Sequence, residues 1–172
     1  IIGAMDHNTW PAGAQASRDT FALLFGFATA LRREEQAPLL TDQVVLAPLD
    51  GLHVFLGQTK TDQEGTGVTL GVPYGKNPQT CPVCAYVRWI RLVDAWDARG
   101  RAGAMRLVLE TPDYDDWKHI CRGPIPTLPD DIPLLRRISK SGAIGDPGDT
   151  PLTGAALYEM LKRRLHEAGY DP

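Results

Sequence analysis

Leu52-His53-Val54-Phe55-Leu56-Gly57-Gln58 is the stretch that sets the fold class. Leu52, Val54 and Leu56 alternate with His53, Phe55 and Gly57, and a period of two puts each set on its own face of a strand. Val68, Leu70 and Val72 alternate with Thr69 and Gly71 in the same way, and residues 43–47 read as a third short strand. Asp50-Gly51 marks a tight turn before the quoted stretch, whereas the turn after it, about residues 59–67, is longer and polar. The expectation is a three-stranded antiparallel sheet with one buried face.

Upstream, Ser17 is a plausible N-cap with Asp19 in the first turn, and Phe21, Leu23, Leu24, Phe25, Phe27, Ala28 and Leu31 make the following helix apolar all round. It should be central and buried. Gly26 inside it costs about 1 kcal/mol relative to Ala, which implies a neighbour packed close against it. Residues 1–5 read as the tail of a helix and 7–16 as a loop. The long helix runs into Arg32-Arg33-Glu34-Glu35, where a short second helix begins, to be ended by Pro38.

Downstream of the sheet, Thr80 or Cys81 caps a helix with Pro82 at its first position, and Val83, Val87, Ile90, Val93 and Trp96 recur at helical spacing until Gly100 stops it. Over residues 98–133 the pattern dissolves, apart from a possible strand at 105–110, an acidic aromatic patch at 113–117 and the prolines at Pro124, Pro126, Pro129 and Pro133, which hold the chain extended. This stretch reads as an insertion in one domain. Thr153 opens a last helix with Ala156, Leu157, Met160, Leu161 and Leu165 on its apolar side, Lys162, Arg163 and Arg164 on a solvated face, and Gly169 at its close. The fold class is therefore α+β, mainly helices around a small three-stranded antiparallel sheet.

At 172 residues, 43% hydrophobic and 23% charged, the chain has ordinary globular composition and length for one domain. Its longest apolar run, residues 21–31, falls short of the roughly 20 residues a membrane span needs, and no basic-then-apolar segment opens it. A soluble, cytoplasmic protein is expected. Three cysteines suit reduced thiols better than a disulfide framework. A net charge of -3 argues against a free-standing nucleic-acid binder and predicts weak DNA affinity for this piece alone, although 18 Lys and Arg can still gather on one face.

Arg32 on a helix end and Lys60 on the loop of a hairpin are side chains suited to one phosphate. Breaking a phosphodiester needs positive charge and fixed donors on the non-bridging oxygens. An arginine's planar fork binds two such oxygens, and a lysine beside the leaving oxygen can donate a proton. Arg32 and Glu35, three apart, share a helix face and can hold each other. Taken alone, a charged helix end is ordinarily a solvated last turn and a hairpin lysine ordinarily discourages edge pairing.

The run Leu23-Leu24-Phe25-Gly26-Phe27-Ala28-Thr29-Ala30-Leu31-Arg32-Arg33-Glu34-Glu35 resembles the first box of the tyrosine recombinase (phage integrase) family. Gly57-Gln58-Thr59-Lys60-Thr61-Asp62-Gln63 resembles the hairpin that carries that family's lysine, and weaker matches run over residues 81–89 and 152–172. The resemblance implies that Arg32 clamps the scissile phosphate, that Lys60 is general acid for the leaving 5′-hydroxyl, and that Glu35 supports the arginine's helix. It also implies double-stranded DNA as partner, a homo-tetramer on DNA for the full-length protein, and no cofactor. Ala30 stands where the family usually has glycine and Gln36 where it usually has leucine, departures expected to touch packing more than the phosphate site. The family's His-x-x-Arg box and nucleophilic tyrosine have no counterpart in matching context. His119-Ile120-Cys121-Arg122 has the bare pattern but precedes the last helix, where the box should follow it. The chain thus looks like the first part of a catalytic domain, inactive alone.

A rival reading is metal. Cys81, Cys84, His119 and Cys121 supply four soft ligands of the kind zinc takes, including every cysteine in the chain. Against it, His-x-Cys is tighter than the usual knuckle spacing, and Cys81 and Cys84 already serve the start of a helix. If zinc binds, it should staple residues 98–133 to that helix. The competing function class is a non-catalytic DNA-binding or zinc-stapled interaction module.

Overall fold

The computed structural model describes residues 1–57 and 67–171. Among them run helix α1 (Ala12–Thr29), the single turn α2 (Arg33–Gln36), strands β1 (Val44–Ala47), β2 (Gly51–Leu56) and β3 (Val68–Val72), the long helix α3 (Pro82–Leu109) and helix α4 (Gly154–Glu167). The architecture is α+β.

The sheet has the expected order, β1-β2-β3, with both pairings antiparallel. Its register sets Val44 opposite Val54, Leu46 opposite Leu52, and Leu52 opposite Val72, so the alternating apolar set lies on one face. Val44, Leu52, Val54 and Val72 are buried while Val45 and Phe55 face outward. The buried face joins a core built mainly where α1 meets α3: Phe21 packs edge-on against Tyr86 with ring centroids 5.6 Å apart. Tyr86 then donates its hydroxyl to the Val44 carbonyl at 3.1 Å, which ties helix to sheet. Trp89 is wholly buried and donates Nε1–H to the Leu134 carbonyl at 2.7 Å.

Three local expectations are corrected. α1 begins at Ala12, five residues before Ser17, because the small residues between Ala12 and Ala16 form helix without any apolar periodicity to announce it. Its N-cap is Pro11, and the opening residues form only a 3₁₀ turn, Ile2–Ala4. α1 is also not buried all round: Phe27 near its end is 90% exposed.

The second correction is at Gly100, which interrupts α3 with φ 59° and ψ -153° without ending it. The helix resumes to Leu109, so residues 105–109 are helical where a strand was expected. The segment that follows is woven into the body. Trp117, Cys121, Leu134 and Leu135 are buried, and the chain at 132–134 pairs beside 39–41 through Thr41 N–H to Ile132 O and Leu134 N–H to Leu39 O.

The third concerns the basic run on α4. Thr153 caps the helix as expected, its hydroxyl accepting from Ala156 N–H at 3.1 Å, and Gly169 takes the left-handed conformation beyond its end. Arg164, however, is buried against Asp19 of α1.

His7 carries a consequence for stability. It is buried, its ring stacks on Tyr114 and meets Trp117 edge-on, and its Nε2 lies 3.0 Å from the Ile2 carbonyl. Burial holds its pKa below the ordinary value. The Ile2 carbonyl opposes that shift, nearby Arg88 and Arg164 add to it, and Asp6 opposes it. The neutral ring is therefore the folded form. As pH falls below about 6.5 the unfolded chain takes a proton that the folded one refuses, so stability drops by up to about 1.4 kcal/mol per pH unit until the depressed folded pKa is passed. His7→Gln should flatten the melting-temperature profile between about pH 7 and pH 5. An unaltered profile would refute the assignment.

Candidate functional site

α1 ends at Ala30, whose backbone is left-handed at φ 53° and ψ 23° and whose N–H still donates to the Gly26 carbonyl at 2.9 Å. That reversal delivers the chain to Arg32, the residue capping α2. Glu35 reaches back to accept the Arg32 backbone N–H at 2.9 Å, and its other oxygen lies 3.9 Å from Arg32 Nη1. The Arg32 backbone is thus fixed while its side chain stays 76% exposed. At that exposure the ion pair holds the guanidinium only weakly.

One of the two departures from the recombinase pattern finds a physical reason here. Gln36 is buried and donates to the Ala22 carbonyl of α1 at 2.7 Å, and it does so through the space that Gly26 leaves free: a Cβ there would come 2.6 Å from Gln36 Oε1. Gly26 and Gln36 act as a pair. Ala30, in contrast, bears the strain of a conformation that glycine adopts freely. Ala30→Gly should stabilise the chain by about 1 kcal/mol and raise its melting temperature by about 2–4 °C. A fall in melting temperature would contradict this reading of the turn.

α2 is braced from the other side by α4. Arg33 lies over the Tyr158 ring at 5.2 Å, and the Glu34 carboxylate sits directly on Gly154, in the space a Cβ there would take. A carboxylate over the first turn of α4 also suits the partial positive charge of a helix N-terminus. Arg32 and Glu35 are therefore brought together at the junction of α1, α2 and α4. Lys60, with residues 58–66, lies outside the described residues.

A second cluster forms where α3 begins. Cys81 is its N-cap, and the Cys81 thiol accepts from the N–H groups of Cys84 at 3.4 Å and Gly75 at 3.2 Å. Cys84 Sγ accepts from Ile120 N–H at 3.4 Å. His119 Nδ1 lies 3.4 Å from Cys84 Sγ and 3.7 Å from Cys121 Sγ, and its Nε2 lies 3.0 Å from the Lys76 carbonyl. The ligand atoms of all four residues fall within 4.8 Å of one another. The hydrogen bond with the Cys84 thiol, opposed by burial and helped by backbone N–H groups, brings the Cys81 pKa down to about 5. The same bond, then burial, pushes Cys84 up, and burial raises Cys121. Arg88, one turn beyond Cys84, stacks over Trp117 at 3.7 Å; burial lowers its pKa and the charges of Cys84, Cys81 and Cys121 push back. His119 faces the sulfurs while Arg122 lies over the Tyr74 ring, 4.4 Å from its centroid.

Over 73 residues, 42% of the chain, the sequence is 32% identical to an integrase/recombinase xerD homolog from Selenomonas ruminantium. This likeness supports a relationship to the tyrosine recombinases. The chain spans about a fifth, 21%, of that relative's length. No protein-family model and no solved structure matches the chain. Among the described residues, no helix is long and apolar enough to cross a membrane.

Sequence reasoning missed the surroundings of both clusters. Gly75 N–H, the Lys76 carbonyl and Ile120 N–H are backbone groups that no motif marks. Arg88 carried a signal, since its position four residues after Cys84 places both on one helix face.

Proposed function

We propose that this chain is part of an enzyme that cuts and rejoins DNA strands at specific sites through a covalent phosphotyrosine link. Arg32 binds the scissile phosphate, Lys60 gives a proton to the leaving 5′-oxygen, and Glu35 fixes the start of the helix turn from which Arg32 projects. The observation that carries this reading is the junction itself: a largely exposed guanidinium on a backbone held by a neighbouring carboxylate and braced by two longer helices. Such a group is preorganised at its root and open at its tip, as a phosphate clamp must be. The integrase/recombinase name of the relative supports the same chemistry. In this reading the tyrosine nucleophile and the remaining phosphate ligands come from a longer protein, double-stranded DNA is the substrate, and a homo-tetramer on DNA is the working assembly.

The test uses the full-length gene product with nicked duplexes made from the DNA that flanks its gene. A nick beside the cleavage site lets the short end diffuse away and traps the covalent intermediate. The expected result is a protein–DNA adduct that survives denaturing detergent and maps to a tyrosine. Folded protein that leaves no adduct on any of these duplexes would overturn the proposal.

A further inference from the structure

The cysteine cluster makes no part of the phosphate chemistry, and its geometry points to a metal. A tetrahedral zinc with Zn–S of about 2.3 Å and Zn–N of about 2.0–2.1 Å has S···N edges of about 3.5 Å and S···S edges of about 3.8 Å. Cys84 Sγ and Cys121 Sγ stand 3.4 and 3.7 Å from His119 Nδ1, and no ligand atom of the four is more than 4.8 Å from another. An ion at the centre requires only small movements of the side chains. The residues come from two separate segments, so their convergence is a property of the fold and not of a local motif.

The groups around the cluster are those a thiolate–imidazole site needs. Backbone N–H groups of Gly75, Cys84 and Ile120 point at sulfur, which favours thiolate over thiol. The Lys76 carbonyl can only accept, so the 3.0 Å contact places the His119 proton on Nε2 and leaves the Nδ1 lone pair facing the sulfurs. Three thiolates, a neutral imidazole and a divalent ion sum to one negative charge, and Arg88, one turn beyond Cys84, puts a cation on the same face of α3. A buried hydrogen-bonded trio of thiols would require neither the fixed imidazole nor the three N–H donors.

We propose that Cys81, Cys84, His119 and Cys121 bind one zinc ion in a closed, structural site. With four protein ligands, no position is left for water or substrate. The ion clamps the segment that follows α3, at 119–121, and the turn that leaves β3, at 75–76, onto the start of α3. This proposal does not depend on the recombinase reading.

Chain purified under reducing conditions and refolded with zinc should retain one zinc per chain through gel filtration, measured by elemental analysis. Substitution by Co²⁺ should give the strong visible absorption and sulfur-to-metal charge-transfer bands of a tetrahedral thiolate site. His119 is exposed, so His119→Ala should keep the circular dichroism of the parent while weakening zinc binding on the order of 100-fold or more. Cys84→Ser should abolish the charge-transfer bands. Folded, reduced protein that holds only sub-stoichiometric zinc and gives a weak octahedral cobalt spectrum would overturn the site. So would a Cys81–Cys84 disulfide in protein that was purified without oxygen, or zinc affinity unchanged in His119→Ala.

Discussion

Arg32→Ala is expected to lower strand cleavage by the full-length protein about 10²- to 10³-fold while leaving the fold of this region unchanged. The magnitude is that of removing one preorganised donor from developing negative charge. Structural innocence follows from the geometry: the side chain is 76% exposed, and what Glu35 grips at 2.9 Å is the Arg32 backbone N–H, which alanine keeps. Arg32→Lys should restore only part of the rate, because an ammonium supplies charge without the two-pronged fork. Glu35 separates positioning from chemistry. Glu35→Ala removes the reach-back bond, costs about 1 kcal/mol of local stability and slows cleavage less than Arg32→Ala does, whereas Glu35→Gln keeps an acceptor and should recover most of the loss. The measurements are single-turnover adduct formation and thermal melting of the same preparations. Arg32→Ala within a few-fold of the parent rate, or a rate loss that tracks a loss of fold, would remove Arg32 from the chemistry.

The contrast between what the sequence disclosed and what it hid follows the range of the forces involved. The sheet was readable because alternation in residues 52–56 and 68–72 is a local consequence of burying one face, and the register pairs those very residues. The caps at Thr153 and at Cys81, the latter as one of two candidates with Thr80, were readable for the same reason, since each hydroxyl or thiol bonds an N–H three residues on. Residues 105–110 misled because a short apolar run does not distinguish strand from helix, and here the preceding Gly100 kinks the helix without ending it. Arg164 misled because its partner, Asp19, is 145 residues away in sequence. The candidate site divides the same way. Arg32 and Glu35 share one turn and could be paired on paper, whereas the convergence of Cys81 and Cys84 with His119 and Cys121 depends on how the segment after α3 returns across the helix start, which spacing does not encode.

Asp19→Asn is expected to cost about 3–5 kcal/mol. The carboxylate is wholly buried and holds three arginines: Oδ1 accepts from Arg18 Nε at 2.8 Å and Nη2 at 2.6 Å, and Oδ2 accepts from Arg164 Nε at 2.8 Å and Arg163 Nη2 at 3.1 Å. The amide keeps the shape but removes the charge: Arg164, 8% exposed, keeps Glu167 at 2.6 Å, while Arg18, 9% exposed, remains as a buried cation whose carboxylate partner is gone. Arg163 is 48% exposed, so Arg163→Ala should cost under about 1 kcal/mol. Replacing Asp19, Arg18 and Arg164 together by apolar residues of similar volume should cost less than Asp19→Asn alone, because the penalty lies in the orphaned charge more than in the missing attraction. Denaturant unfolding of the four proteins checks the order, and a loss below about 1 kcal/mol for Asp19→Asn would show that water reaches the cluster. The same substitution bears on Arg32. Asp19 fastens α4 to α1, and α4 in turn braces α2 through Tyr158 and Gly154. Loosening α4 therefore releases the turn that aims Arg32, so Asp19→Asn should slow strand cleavage even at temperatures where the protein remains folded.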